Sequence, residues 1–184
     1  PAWELANKFD AQDQTAIFCS FSKVTFGGGG LSFAAAGTKL FDLLSKQRAS
    51  MIVCSDKVNQ LRHLGFLKNK AEVKNHMKKH ADLVRPKFEA AFNALDAMSP
   101  EIGNYKKPTG GYFISFNATK PIAKRVIELC KEAGVLITPA GSTYPHFNDP
   151  QDSNIRLAPT FLGLDDLKEA MEVFTTALKI AFEE

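Results

Sequence analysis

Short runs of hydrophobic residues, bounded by glycine or polar residues, predict five strands along the chain. The first two runs, at residues 15–21 and 31–36, are mostly apolar and fit buried strands. The second run follows a stretch of four glycines, Gly27 to Gly30, which permits positive φ angles and close backbone approach. The remaining strands are predicted at residues 112–116, 135–138 and 154–158.

Apolar positions spaced three and four residues apart predict helices between and after these strands. The longest stripe, at about residues 71–98, stays in phase on both sides of Pro86, so one bent helix is expected. Asp56 is a candidate N-cap for the helix before it, and Gly134 is a candidate terminator for a later one. The other helices are predicted at residues 38–47, 122–133 and 167–181.

Strands that alternate with helices predict an α/β fold, with a small layered domain from about residue 71 onward. The chain has 184 residues, 45% of them hydrophobic, which is enough for one core or for a small domain plus part of another. Its net charge of +3 is spread over a mixed surface, so no nucleic-acid partner is expected. No apolar run reaches the roughly 18 residues of a membrane helix, so no membrane partner is expected and the cytoplasm is the default location.

Cysteine and histidine spacing gives no sign of a metal site. Cys19, Cys54 and Cys130 stand singly in apolar surroundings and are expected to be buried thiols. His76 and His80 lie among lysines at 74, 78 and 79, and we expect one solvated helix face there.

Two hydroxyls and an amine follow the first predicted strand, in the segment Ser20, Phe21, Ser22 and Lys23. Open α/β sheets bind ligands at the carboxyl ends of their strands. A lysine there can form an imine with an aldehyde cofactor, while hydroxyls and glycine-loop amides can bind a phosphate. In isolation the motif is short, and a surface lysine after a strand is the simpler interpretation.

Arg156 stands between Ile155 and Leu157 on the last predicted strand, and arginine is rarely buried without an anionic partner. Its guanidinium matches a carboxylate in a bidentate geometry. An internal salt bridge, or an edge strand with Arg156 in water, is an equally good interpretation of the residue alone.

Taken together, these segments resemble fold-type I pyridoxal-phosphate-dependent aminotransferases. In that family a lysine after a strand binds the cofactor, a Gly-Gly-x-Phe strand opens the small domain, and an arginine near the carboxyl end binds the substrate. The corresponding segments here are residues 20–23, 110–113 and 154–157, in the same order. Longer blocks at residues 22–30, 56–63, 85–88 and 138–159 resemble the MocR-type or alanine-aminotransferase-like subgroup of aspartate aminotransferases.

The resemblance implies the carboxyl-terminal part of the pyridoxal-phosphate-dependent transferase fold. Residues 1–70 would be the end of the large cofactor-binding domain, and residues 71–184 the interdomain helix and the small domain. Family members are longer and supply the ring-binding groups from an amino-terminal half, so the chain, which does not begin with methionine, is expected to be a fragment. Many members also have a phosphate-binding arginine eight residues after the lysine, where this chain has Leu31, so glycine-loop amides would replace it.

The resemblance also implies the roles of individual residues. Lys23 would be catalytic, Ser20, Ser22 and Lys23 would bind pyridoxal phosphate, and Arg156 would bind the substrate. The substrates would be an amino acid, with aspartate preferred, and a 2-oxo acid such as 2-oxoglutarate. Lys57 and Arg62 are candidates for the distal carboxylate of such a substrate, although salt bridges explain them equally well. The intact protein would be a homodimer.

A second interpretation is the aminotransferase-like effector-sensing domain of a transcriptional regulator, which binds the cofactor without turnover. The chain contains no DNA-binding module, and the sequence before it would discriminate between the two. By itself the chain is expected to bind pyridoxal phosphate weakly and to show no transamination.

Overall fold

The structure, a computed structural model, describes residues 2–184, which form two compact units. The first unit ends at His80, and the second unit is Ala81–Glu184. The helices are α1 (Ala2–Lys8), α2 (Thr38–Met51), α3 (Lys57–Leu67), α4 (Lys70–Asp96), α5 (Ala123–Glu132) and α6 (Leu164–Glu183). The strands are β1 (Ala16–Ser20), β2 (Ser32–Ala36), β3 (Gly103–Tyr105), β4 (Ile114–Ala118) and β5 (Asn154–Leu157).

The first unit contains an antiparallel pair, β1 and β2, in which Ala16 lies opposite Ala36 and Ser20 opposite Ser32. Both strands were predicted, but the prediction that they are buried is wrong. The side chain of Phe18 is 68% exposed and that of Phe33 is 52% exposed. An apolar run can predict a strand from its own residues, whereas burial requires another element packed over that strand. Here an open groove of about 720 Å³ borders the two strands and α2.

Helices α3 and α4 begin and continue as the sequence predicts. The Asp56 side chain accepts a hydrogen bond from the backbone N–H of Asn59 at 2.9 Å, which confirms the predicted N-cap of α3. Helix α4 runs without interruption through Pro86, so the prediction of one helix there is confirmed. Its lysines at 74, 78 and 79 are exposed, but His76 is half-buried and bonded to Val24 O, so the prediction of a wholly solvated face is wrong.

The second unit is built around a three-stranded antiparallel sheet in the order β3, β4, β5. Alternate residues of β4 point to opposite faces, as the strand period requires. Ile114, Phe116 and Ala118 are buried in a core that includes α5 and α6, and Phe116 meets Phe174 of α6 edge to face at 5.9 Å. Ser115 and Asn117 therefore lie on the other face, opposite Arg156 and Asn154 of β5.

Three elements differ from the sequence prediction. Helix α1 and the short strand β3 were not predicted, because few residues carry their patterns. Residues 135–138 are not a strand, although they line a cavity together with Leu157 of β5. An apolar run alone cannot establish whether a partner strand lies in hydrogen-bonding register.

The three cysteines, all predicted to be buried, lie in two different environments. Cys130 is buried, and burial raises the pKa of its thiol to about 11. Cys19 and Cys54 are exposed, so their predicted burial is wrong. Among the helices of residues 2–184, none has both the length and the apolar character needed to cross a membrane.

Candidate functional site

Lys23 lies in a tight turn directly after β1, which we call the lysine turn (residues 21–25). Phe21 begins it, with its backbone N–H donating to Leu31 O at 2.8 Å. The carbonyl of Phe21 accepts hydrogen bonds from the backbone N–H groups of Val24 and Thr25, both at 3.0 Å. The side chain of Lys23 is exposed at the tip of this turn.

Two hydroxyls flank the lysine turn on its amino-terminal side. Ser20 Oγ and Ser22 Oγ are 2.5 Å apart, and the backbone N–H of Ser22 donates to Ser20 Oγ at 3.1 Å. Gly30 packs directly against Ser22, because a Cβ at that position would lie 2.5 Å from Ser22 Oγ and 2.6 Å from its Cα. The predicted cofactor residues Ser20, Ser22 and Lys23 therefore form one continuous exposed group.

The glycine loop (residues 27–30) lies beside α3. Asn59 donates from Nδ2 to Gly30 O at 3.5 Å, and the guanidinium of Arg62 lies 5.7 Å from the centre of the Phe26 ring. The N–H of Gly29 donates to Phe26 O, so this amide is already engaged within the loop. Arg62 thus belongs to the surroundings of the lysine turn, whereas Lys57 is the exposed first residue of α3.

A buried histidine contacts the lysine turn from α3. The side chain of His63 is only 3% exposed. Its Nε2 lies 2.9 Å from Thr25 Oγ1, and its Nδ1 lies 2.9 Å from Asn59 O. Neither His63 nor Thr25 could be assigned a role from the sequence, because residues 38 positions apart share no local pattern.

A second histidine reaches the same turn from α4. His76 Nε2 is hydrogen-bonded to the carbonyl of Val24. The His76 ring meets Phe66 edge to face at 5.1 Å, Phe66 lies 5.5 Å from Phe26, and Phe26 meets the His63 ring at 5.0 Å. These four rings, which we call the aromatic cluster, connect α3 and α4 to the chain that follows Lys23.

Arg156 lies in the second unit, on the face of β5 that Ser115 shares. Its guanidinium lies 4.8 Å from the centre of the Phe113 ring, a cation–π distance. Its Nε is buried and has no hydrogen-bond partner among the described residues. Arg156 also lines a cavity of about 120 Å³ whose other walls are largely apolar. The internal salt bridge considered for Arg156 is not among the ion pairs of residues 2–184.

Asn154, two residues before Arg156 on the same strand, is the centre of a buried polar network. Its Nδ2 donates to Ser115 Oγ at 2.9 Å and to Asn117 Oδ1 at 2.7 Å, while its Oδ1 accepts from Thr143 Oγ1 at 2.7 Å. The sequence analysis included Asn154 in a family block without a role, since its partners come from distant segments.

The carboxylate of Asp149 is hydrogen-bonded to the backbone of the segment that leads into β5. It accepts backbone N–H bonds from Gln151, Ser153 and Asn154. Burial raises the pKa of Asp149, but these backbone donors outweigh burial and hold the pKa below its ordinary value. No group of three His, Cys, Asp or Glu within residues 2–184 is arranged to bind a metal.

The predicted residues therefore fall into two sites. Ser20, Ser22, Lys23 and Arg62 belong to the first unit, around the lysine turn and the glycine loop. Arg156 belongs to the second unit, with Phe113 and the Asn154 network.

Known proteins are similar to this chain along most of its length. An aspartate aminotransferase of Corynebacterium glutamicum is 37% identical over 169 residues, which are 91% of this chain and 39% of that protein. A crystal structure from Corynebacterium diphtheriae, assigned as an aminotransferase, matches 98% of this chain and 45% of its own, with a TM-score of 0.87 and 37% identity. The α/β class and the partial transferase fold predicted from the sequence are thereby confirmed.

A transcriptional regulator is also similar to this chain. The HTH-type regulator NorG of Staphylococcus aureus is 24% identical over 175 residues, which are 94% of this chain and 38% of that protein. The chain thus spans about two fifths of the length of these curated relatives.

The family model described as aspartate aminotransferase matches residues 4–184. This chain therefore belongs to the aspartate aminotransferase family.

Proposed function

We propose that this chain is the lysine-bearing part of a pyridoxal-phosphate-dependent aminotransferase, with Lys23 as the cofactor lysine. The observation that carries the proposal is an exposed lysine in a tight turn beside two hydroxyls 2.5 Å apart. Membership of the aspartate aminotransferase family supports the same assignment. The division into residues 1–70 and 71–184, as cofactor-domain end and small domain, belongs to the proposal.

The residues around Lys23 fit the phosphate group of this cofactor. The hydroxyls of Ser20 and Ser22 can each donate to a phosphate oxygen instead of to one another. Glycine at position 30 keeps the backbone close to Ser22, where a Cβ would overlap its hydroxyl. Because position 31 is leucine, glycine-loop amides other than that of Gly29 would supply the remaining donors.

When bound, pyridoxal phosphate supplies an aldehyde that condenses with amines and a ring that withdraws electrons from the adjoining carbon. Lys23 would hold the cofactor through its amine at the aldehyde carbon, with loss of water, and would be released when the substrate amine takes its place. Lys23 Nζ would then take the proton from the α-carbon of the substrate and return it two bonds away, at the former aldehyde carbon. Exposure at the tip of the turn leaves room for this exchange.

Arg156 would bind the α-carboxylate of the amino acid or 2-oxo acid. Its buried Nε has no hydrogen-bond partner within residues 2–184, and a carboxylate would satisfy this donor together with the neighbouring guanidinium N–H. Phe113 against the guanidinium restricts the arginine to fewer orientations. Two hydrogen bonds from Arg156 would fix both carboxylate oxygens, and they would thereby orient the substrate.

We further propose a dicarboxylic substrate, with aspartate as donor and 2-oxoglutarate as acceptor. The relative from Corynebacterium glutamicum, an aspartate aminotransferase, supports this preference. Arg62 is the better candidate for the distal carboxylate because it lies beside Phe26 and the glycine loop, and Lys57 is the second. The homodimer, the subgroup and the cytoplasmic location stay predictions.

Covalent trapping tests the assignment of Lys23. The full-length protein is incubated with pyridoxal phosphate, reduced with borohydride, and digested for peptide mass spectrometry. We expect one reduced adduct on the peptide that contains Lys23, absent from Lys23→Ala and retained in Lys78→Ala, an exposed lysine of α4. Equal labelling of many lysines, or no label on Lys23, would remove the basis of the proposal.

Steady-state kinetics test the role of Arg156. We expect Arg156→Ala to raise KM and lower kcat together, because the contact both binds and orients the substrate. Arg125→Ala, which breaks an exposed pair with Glu184, is the matched arginine control. Unchanged kcat/KM in Arg156→Ala would contradict the assignment, and turnover by residues 1–184 alone would contradict their expected inactivity.

The similarity to NorG supports a second candidate, an effector-sensing domain that binds the cofactor without turnover. The two candidates predict the same adduct on Lys23 but differ in product formation. Release of glutamate from aspartate and 2-oxoglutarate, measured with a coupled assay, supports the enzyme. Adduct formation without glutamate supports the sensing domain.

A further inference from the structure

We propose that His63 and His76 are positioning residues for Lys23, and that they hold the lysine turn through Thr25 and Val24. This inference rests on the proposed function of Lys23 and concerns residues that have no assigned role in it. The two histidines come from different helices, α3 and α4, yet contact adjacent residues of one turn.

The hydrogen-bond partners of His63 determine which ring nitrogen carries the hydrogen. Asn59 O is a backbone carbonyl and can only accept, so His63 Nδ1 is the donor in that 2.9 Å contact. In the neutral ring, Nε2 is then the acceptor, and the Thr25 hydroxyl, 2.9 Å away, is the group that can donate to it. The backbone of α3 thereby orients the imidazole, and the imidazole orients Thr25.

The Thr25 hydroxyl has one hydrogen and two neighbouring acceptors. It lies 3.0 Å from Phe21 O and 2.9 Å from His63 Nε2. Phe21 O already accepts the backbone N–H groups of Val24 and Thr25, so it does not need a third donor. His63 is 3% exposed, so loss of the Thr25 hydroxyl would leave its Nε2 shielded from solvent, and the hydrogen bond to His63 is therefore the one that matters.

His76 fixes the residue between Lys23 and Thr25. Its Nε2 faces the carbonyl of Val24, which can only accept, so this nitrogen donates. The aromatic cluster packs the His76 ring against Phe66 and joins it through Phe26 to His63. Lys23 thus follows the hydroxyl pair Ser20 and Ser22 and precedes two residues held from separate helices.

A catalytic amine depends on such support, because a displacement of about 1 Å can reduce a rate by about 100-fold. The side chain of Lys23 is long and exposed, so the position of its amine depends on how the backbone of the lysine turn is held. The geometry assigns that task to Thr25 and the two histidines.

The test compares variants of the full-length protein by two measurements, the rate of borohydride-trapped adduct formation at Lys23 and amide hydrogen exchange of residues 22–26. Thr25→Val removes the hydroxyl at nearly constant shape, and His63→Leu removes its acceptor. We expect each to slow adduct formation roughly tenfold and to speed local exchange. Adduct formation in the double variant should be about as fast as in either single variant, because the two substitutions remove the same interaction.

Conservative and control variants separate positioning from general destabilisation. Thr25→Ser keeps the hydroxyl and His63→Gln keeps an acceptor, so both should recover most of the trapping rate. His76→Leu should likewise speed exchange at residues 22–26. Thr176→Val, the same substitution at an exposed site of α6, should leave both measurements unchanged.

Wild-type trapping rates and wild-type local exchange in Thr25→Val and His63→Leu would overturn the inference. If His63→Leu fails to fold, Thr25→Val alone decides, because it changes no buried ring. If Lys23 is not trapped in the wild type, the proposed function fails separately. Local exchange then still tests the contact, since it needs no cofactor.

Discussion

The two small sheets of this chain have similar apolar sequences and opposite environments. In the second unit, Phe116 of β4 is 2% exposed and meets Phe174 of α6, which is 1% exposed. In the first unit, Phe18 of β1 is 68% exposed and borders an open groove. The contrast teaches that apolar patterning specifies a strand, while the layer packed above it determines how much stability that strand contributes.

The largest expected effect comes from matched phenylalanine truncations in the two units. Phe174→Ala should lower the free energy of unfolding by about 3–5 kcal/mol, because it removes a buried ring and leaves a cavity. Phe18→Ala should change it by less than about 0.5 kcal/mol, as an exposed substitution. Urea denaturation followed by circular dichroism measures both. Equal losses of unfolding free energy in the two variants would show that β1 is covered in solution, and the two sheets would then not differ in this respect.

A second pair compares the buried Asn154 with the half-buried Asn59. Asn154→Ala should cost about 1–3 kcal/mol, because Ser115, Asn117 and Thr143 all lose their shared partner. Asn59→Ala should cost less, since its amide makes one long 3.5 Å contact and its buried Oδ1 has no partner among the described residues. The same denaturation experiment ranks them, and a reversed order would contradict the hydrogen-bond assignments.

Within the glycine loop, Gly30 is closely packed, whereas Gly27 and Gly28 are open. Gly30→Ala should destabilise the first unit by about 1–3 kcal/mol, because its Cβ would overlap Ser22. Gly27→Ala is the control, since a Cβ there meets nothing within 4 Å. Fluorescence of Trp3, the one tryptophan of the chain, monitors this unit. Equal melting of the two variants would show that the loop relaxes freely.

The smallest expected effect is a pH dependence confined to the second unit. The pKa of Asp149 is lowered on folding, so its stabilisation is present above the unfolded pKa, near 3.8, and is lost as the pH falls through the folded value. The stability advantage of wild type over Asp149→Asn should therefore shrink between about pH 6 and about pH 3. Urea midpoints measured across this range check it, and a constant or growing difference would be contrary to this sign.

Local signals in the sequence were sufficient for much of the fold. Asp56 was recognised as an N-cap because capping needs only a side chain and the next backbone N–H groups. The long helix through Pro86 was predicted because its stripe continues in phase. Residues 135–138 were mistaken for a strand because pairing depends on a distant partner, which a local pattern does not contain.

The candidate site divides in the same way. Lys23 with its two serines, and Arg156 on an apolar strand, could be found from residue type and family resemblance. His63 and His76 could not be assigned a role, since each acts through a residue 38 or 52 positions away. The predicted burial of Cys19 failed for the reason that applies to all of β1, namely that nothing in its own residues encodes the covering layer.

By itself, the sequence determined the spacing of apolar residues in helices and strands, the capping residue of α3, the α/β class and the chemical groups available near Lys23 and Arg156. These follow from interactions between residues a few positions apart and from the chemistry of single side chains. Only the tertiary structure decided which sheet is buried, which histidines contact the lysine turn and which donor on Arg156 has no partner in the described part of the chain. Those properties depend on groups that are remote in the chain and meet only when packing brings them together.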